Sequence, residues 1–236
     1  MDALRGFASA EEKARARRPA SFVAPGPRPR GAEGDAELVP APDEDLSFLC
    51  GDFRIFQKKR GHRWSLDDFI TAVVAIEATR QRDVGRLLDL GCGIGSVLLM
   101  MAWAHPAARG LGVEAQPESI RLARRSLRYD GVAERIEVRE ADLRTLSGAE
   151  GPFDLITGTP PYLPLGHGTA SEREQRGPAF FETRGGVEAY CAKARELLAP
   201  HGLFVFCFGA QPEGRGEAAR RWSGAGCGIR DTSSAP

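Results

Sequence analysis

A chain of 236 residues is long enough for one sizeable core, or for a domain with a tail. At 42% hydrophobic and 27% charged it has the composition of a soluble globular protein. Its formal net charge of zero excludes attraction to nucleic acid by the chain as a whole and leaves that work to a local basic patch. The five cysteines, at 50, 92, 191, 207 and 227, include no C-x-x-C pair. No metal site and no disulfide framework is expected from them, and reduced thiols in the cytoplasm fit best. The longest apolar runs, such as SVLLMMAWA, are too short to span a bilayer, so no membrane partner is expected. The N-terminus lacks the apolar core of a secretory signal, and Asp2, Glu11 and Glu12 argue against a transit peptide.

Residues 1–44 are rich in Ala, Arg, Pro, Gly and Glu without a sustained apolar period. They read as a mostly disordered tail, with DAELVPAPDEDL (35–46) as an acidic linker into the domain. Residues 45–236 form the domain. There GRLLDLGCG (85–93) reads as a buried strand with a glycine turn, and SVLLMMAWAHP as the helix after it. GLGVEA (110–115) is a second strand. PESIRLARRSLRYDG is a helix that opens on proline and closes on glycine. RIEVREAD (135–142) and FDLITG are the third and fourth strands, GVEAYCAKARELLAPHG (186–202) is a helix, and LFVFCFGA is a fifth strand. Apolar strands separated by helices predict an α/β fold, a doubly wound and mostly parallel sheet covered on both faces.

LDLGCGIGS (88–96) places Gly91, Gly93 and Gly95 between a strand and a helix, where glycine lets the backbone turn tightly and approach a ligand. Asp89 ends the first strand, Glu114 the second and Asp142 the third. Such strand ends lie side by side at a ligand crevice. A carboxylate at 114 can accept two hydrogen bonds from a ribose diol, and one at 142 can receive an adenine amino group. A dinucleotide fold would want G-x-G-x-x-G, and Gly95 comes one position too early for it. The spelling D-x-G-x-G-x-G resembles motif I of class I S-adenosylmethionine-dependent methyltransferases. That resemblance implies a Rossmann-like methyltransferase fold and S-adenosylmethionine as cofactor.

The fourth strand leads into TGTPPYLPLG (157–166). Pro160 and Pro161 cannot continue a sheet ladder, so they stiffen a turn that carries Tyr162. The segment resembles the (N/D/S)-PP-(Y/F/W) motif of methyltransferases that act on planar amino groups. The resemblance implies that Thr159 and the carbonyl of Pro160 accept hydrogen bonds from the target NH₂ while Tyr162 stacks on its plane. Thr159 departs from the usual Asn or Asp. Its hydroxyl is shorter and is also a donor, which shifts weight to the Pro160 carbonyl. His167 lies just past the motif and reads as a solvent-facing loop residue.

Upstream, FRIFQKKRGHRWSLDDFITA (53–72) resembles the segment before the fold in small-domain adenine-N6 methyltransferases of tRNA and rRNA. Gln57, Arg63, Ser65 and Asp67 fall on that pattern, which implies that Gln57, Ser65 and Asp67 line the cofactor pocket. Arg54, Lys58, Lys59, Arg60, His62 and Arg63 form the densest basic cluster and could hold phosphates. Arg121, Arg124, Arg125 and Arg128 line one helix and read as solvated surface.

Together these residues point to methylation of an exocyclic amino group, adenine N6 in tRNA or another structured RNA before all others. Two alternatives stand beside it. One is a glutamine N5-methyltransferase acting on protein, against which a short polar tail counts. The other is a non-catalytic binding protein on a decayed methyltransferase fold. After the fifth strand, EGRGEAARRWSGAG can be a helix and CGIRD one strand. The last antiparallel strand of the family would then be missing, leaving an open sheet edge.

Overall fold

The computed structural model describes residues 19, 21–160, 186–208 and 226–231. Pro161, Tyr162 and His167 lie outside the described residues. Among the described residues, a 3₁₀ turn (Ala36–Leu38) precedes an antiparallel hairpin of β1 (Glu44–Phe48) and β2 (Arg54–Lys58). Helix α1 (Leu66–Ala78) follows, and then β3 (Arg86–Leu90), α2 (Ser96–Ala104), β4 (Arg109–Glu114), α3 (Pro117–Tyr129) and β5 (Ile136–Glu140). The second half holds β6 (Phe153–Gly158), α4 (Val187–Leu197), β7 (Leu198–Phe208) and β8 (Gly226–Asp231).

The main sheet has the order β5-β4-β3-β6-β7-β8. β3 to β7 are parallel, as the strand–helix alternation predicts. The chain winds outward from β3 to β5, then crosses to β6 on the other side of β3. That reversal puts a crevice at the carboxyl ends of β3 and β6. Successive side chains of a strand face opposite ways, and the core divides accordingly. Leu87 joins Val97, Leu98, Met101, Ile120 and Leu127 on the face covered by α1, α2 and α3. Leu88, Leu90 and Ile156 join Val187, Ala194 and Leu197 on the face covered by α4. Helix α2 is apolar all round and buried from Ser96 to Ala102, which fits a helix wedged between the sheet and its neighbours.

Three expectations change. Helix α4 ends at Leu197 rather than 202, because Pro200 forces its predecessors toward extended backbone, and Leu198 already has φ −70°, ψ 141°. β7 therefore starts five residues earlier than LFVFCFGA, at Leu198, and pairs irregularly with β6, Phe153 facing Leu198 and Leu155 facing Leu203. At the far edge, β8 runs antiparallel to β7 from Leu203↔Asp231 to Phe208↔Gly226. The segment CGIRD thus is an antiparallel edge strand of the kind expected to be missing. Strand direction is set by which neighbour a segment meets, and six residues carry no record of that in their pattern.

The third change concerns the acidic stretch before β1. Residues 35–44, read as a linker, are strapped to the arginine side of α3. Arg121 and Arg125 both bond the Glu44 carboxylate, Arg125 at 2.6 Å. Arg125 also donates to the carbonyls of Glu37 and Val39, and Arg128 pairs with Asp35 and Glu37. Farther back, Gly31 N donates to Tyr129 O at 2.8 Å. The composition of the stretch signals disorder, but its acids find a row of arginines at helical spacing, which composition alone does not reveal.

Glu44 is 3% exposed. Burial works against its charge, yet the hydrogen bonds from Arg121 and Arg125 hold its carboxyl down at about 2, against 4.5 ordinarily. A depressed carboxylate contributes stability that is fully present above its unfolded value and lost as pH falls through the folded one. The wild-type chain should therefore lose stability between about pH 4.5 and pH 2 through this group. Glu44→Gln should lower stability at pH 7 by about 2–3 kcal/mol, toward the low end for a broken buried pair because Arg121 is half-exposed. The gap between the two melting curves should close as pH approaches 2. A gap that stays constant from pH 7 to pH 3 would refute the role given to this pair.

Candidate active site at the strand ends

The turn between β3 and α2 adopts the backbone its glycines permit. Gly91, Gly93 and Gly95 have φ of 63°, 55° and 86°, all in the left-handed region that other residues rarely adopt. The turn is held from three sides. Cys92 N donates to Val113 O at 3.0 Å, tying it to β4. Gly93 N donates to the Glu114 carboxylate at 2.9 Å, and the other oxygen of Glu114 accepts from Ala115 N and Gln116 N at 2.8 Å. Asp89 lies beneath the turn, 2% exposed. One of its oxygens accepts from Leu98 N in α2 at 3.1 Å and the other from the Thr157 hydroxyl of β6 at 2.8 Å.

Glu114 and Asp89 thus play different parts. Glu114 stands at the rim, where its carboxylate already grips the glycine turn. Asp89 is internal and fastens the start of α2 and β6 to one another. Burial pushes the Asp89 carboxyl up to about 7, the nearby charges of Asp68 and Glu114 adding to the effect against the hydrogen bonds from Thr157 and Leu98. A carboxyl raised above its unfolded value of 3.8 destabilises the fold progressively as pH rises through that window to about 7. Asp89→Asn lacks this titration. The melting temperature of Asp89→Asn relative to wild type should rise by a few degrees between pH 4.5 and pH 8, and a flat difference would show that Asp89 does not titrate there.

Thr159 and Pro160 leave β6 directly after Gly158, which pairs with Leu90 at the end of β3. Thr159 is half-buried and Pro160 buried. The sheet therefore brings Asp89, Gly91, Gly93, Glu114, Thr159 and Pro160 to one crevice. Asp142 ends up close by, since Ala141 N bonds Glu114 O at 3.0 Å. Its carboxylate caps the short turn that follows, accepting from Arg144 N at 2.9 Å, and pairs with the Arg144 guanidinium at 2.6 Å.

The upstream segment divides. His62, in the loop before α1, lies over the glycine turn, its ring 3.8 Å from where a Cβ on Gly93 would stand. Ser65 is the exposed N-cap of α1 and Asp67 is half-buried. It is Asp68, one residue on, that is buried, accepts from Ser65 N at 2.8 Å and faces Asp89. Burial pushes its carboxyl up to about 6, against hydrogen bonds from Ser65 and Ser96. The Ser65-x-x-Asp68 spacing of a capping box is the signal that could have picked it out. Gln57 sits in the hairpin, 1% exposed, with its amide donating to Ser47 at 2.6 Å. The structure places it against β1, opposite Asp45.

The basic cluster is largely neutralised within the chain. Lys58 pairs with Asp43, Glu44 and Glu118, Arg63 with Asp45, and buried Arg54 with Asp52. Lys59 donates to the Pro42 carbonyl. On α3, Arg121, Arg125 and Arg128 are tied to the strap, and Arg124 donates to Val138 O. Among the described residues no group of three His, Cys, Asp or Glu side chains converges as a metal site, and no helix is long and apolar enough to cross a membrane.

Residues 87–172 match the family model described as "Methyltransferase domain". The chain is 36% identical over 132 residues to a release factor glutamine methyltransferase of Rhodospirillum rubrum, covering 53% of this chain and 40% of that one. It is 32% identical over 148 residues to a 4-amino-L-phenylalanine/4-methylamino-L-phenylalanine methyltransferase of Streptomyces pristinaespiralis, covering 59% and 49%. It is 27% identical over 159 residues to a tRNA1(Val) (adenine(37)-N6)-methyltransferase of a Flavobacteriaceae bacterium, covering 66% and 64%. The chain spans about half the length of the curated relatives it matches.

Proposed function

We propose that this chain is an S-adenosylmethionine-dependent methyltransferase whose acceptor is the nitrogen of a planar, conjugated NH₂ group, a glutamine carboxamide of a protein first among them. The observation that carries the reading is the crevice itself. A left-handed glycine turn gripped by Glu114 stands beside Thr159 and Pro160 on the adjacent strand end. The residues fit the cofactor. The turn offers bare, left-handed backbone at Gly93, and the Glu114 carboxylate that binds it could also accept from a ribose diol. Gly91, Gly93 and Glu114 would hold the cofactor, with Asp142 at its adenine end once Arg144 is displaced or shared. S-adenosylmethionine would supply the methyl group as a sulfonium-bound electrophile.

The chain's own task is then alignment. An amide or adenine NH₂ has a delocalised lone pair and is a poor nucleophile, so orientation must supply much of the rate. Thr159 Oγ1 and the Pro160 carbonyl can accept the two N–H bonds and turn the lone pair toward the cofactor, and the acceptor nitrogen sheds one proton after it gains the methyl group. No strong base is required.

The preference for protein over RNA rests on the neutralised arginines and lysines. A phosphate backbone needs free cations, and Lys58, Arg63, Arg121, Arg125 and Arg128 are each held by an acid among Asp43, Glu44, Asp45, Asp35 and Glu37. Adenine N6 in RNA remains the second reading. It is favoured by the 53–72 segment, whose His62 lies over Gly93. Transfer of tritium from labelled cofactor to a glutamine-bearing release factor, measured beside transfer to bulk tRNA, separates the two. Label in neither, with no cofactor binding at high micromolar concentration, would overturn the methyltransferase reading.

A further inference from the structure

Tyr190 is the one aromatic side chain of α4 and has no part in the site as described so far. It is 6% exposed and belongs to the core cluster with Leu88, Leu90 and Ile156. Its ring touches the backbone of two glycines. A side chain at Gly91 would collide with the Tyr190 hydroxyl, and a Cβ on Gly158 would stand 3.0 Å from its Cδ1. Gly91 opens the cofactor turn. Gly158 is the residue before Thr159. The two lie on neighbouring strands, where Leu90 pairs with Gly158. Burial, with the charges of Glu114, Asp89 and Asp142 adding to it, pushes the hydroxyl well above the ordinary phenol range, so it stays protonated.

We propose that Tyr190 is a positioning residue whose ring sets the spacing between the glycine turn and the Thr159–Pro160 segment. The proposal rests on the methyl-transfer reading above for its catalytic consequence, though not for its structural one. Two backbones carry no side chain at the points where the ring meets them, so the ring is the spacer. Its own position is fixed from behind, since Val187, Ala194 and Leu197 are buried on the same helix. Lys193 holds that helix to the Leu146 carbonyl. One backbone carries the methyl donor and the other the acceptor, and a displacement of about 1 Å at such a pair costs on the order of a hundredfold in rate.

Three variants test it: Tyr190→Phe, Tyr190→Leu and Gly158→Ala. Each is followed by melting temperature, by hydrogen exchange of peptides spanning 88–98 and 153–160, and by kcat and KM for the cofactor. Tyr190→Phe keeps the ring against Gly158 and removes only the hydroxyl that abuts Gly91, so its effects should fall well short of those of the Leu variant in all four. Tyr190→Leu should remain folded, exchange about fivefold or more faster in both peptides, and lose about tenfold or more in kcat with KM within about threefold. Gly158→Ala presses on the ring from the other side and should show the same loss in kcat. The proposal is overturned by unchanged exchange in the two peptides of Tyr190→Leu, by Phe as damaging as Leu, or by a loss confined to KM. If wild type transfers no methyl group, the functional reading falls, and the exchange of the two peptides still decides whether Tyr190 spaces them.

Discussion

Glu114→Ala is expected to raise the dissociation constant for S-adenosylmethionine by about 10- to 100-fold, while Glu118→Ala leaves it within about threefold. Glu114 ends β4 and is 8% exposed, with one oxygen on Gly93 N and the other on Ala115 N and Gln116 N. Removing it does two things. On the proposed cofactor pose the ribose loses a charged acceptor, worth about 1.5–3 kcal/mol, and each 1.4 kcal/mol is about a factor of ten. The glycine turn also loses the group that fastens Gly93. Glu118 is four residues on, in the first turn of α3, and spends its charge on Arg121 and Lys58. Those bonds hold its carboxyl below the usual range and serve the strap, away from the crevice. Isothermal titration of both variants gives the ratio directly. Equal constants would show that the cofactor does not use the end of β4.

Much of this was legible because it depends on local pattern. A strand reads as a run of apolar residues, and a turn that needs left-handed backbone reads as glycine, so β3, the turn and α2 fell where the sequence put them. Glu114 and Asp89 were legible as strand-end acids. Their separate roles were not, because which of them faces the rim depends on the neighbours each strand acquires. The resemblance of 53–72 points to Asp67, and it says nothing of Asp68, which is buried and bonds Ser65 N. The strap was hidden for another reason. Glu44 and Arg125 are 81 residues apart, and attraction between charges that far along the chain leaves no periodic trace. Nothing in the sequence of α4 shows that the Tyr190 side chain ends against Gly91 and Gly158.

Tyr162→Ala should abolish most methyl transfer, by about 100-fold, while leaving cofactor affinity and melting temperature near wild type. Tyr162→Phe should be tolerated. Tyr162 lies outside the described residues, but it follows Pro160, which is buried at the mouth of the crevice, by two positions. If its π-face lies on the planar acceptor, the stack contributes about 1–3 kcal/mol and fixes the acceptor plane, and both are lost in Ala and kept in Phe. A core role predicts otherwise, since Ala would then open a cavity costing about 3–5 kcal/mol and lower the melting temperature. A hydroxyl acting as acid or base would make Phe as harmful as Ala. Thr159→Asn adds a second axis. An amide at 159 offers a longer reach and a carbonyl acceptor without a competing hydroxyl proton. If Thr159 makes a weakened version of the usual contact to NH₂, Asn should preserve or raise turnover on the substrate that accepts label. A sharp fall with cofactor affinity unchanged would mean that the threonine is fitted to an acceptor of another shape, and the planar-amine assignment would be withdrawn.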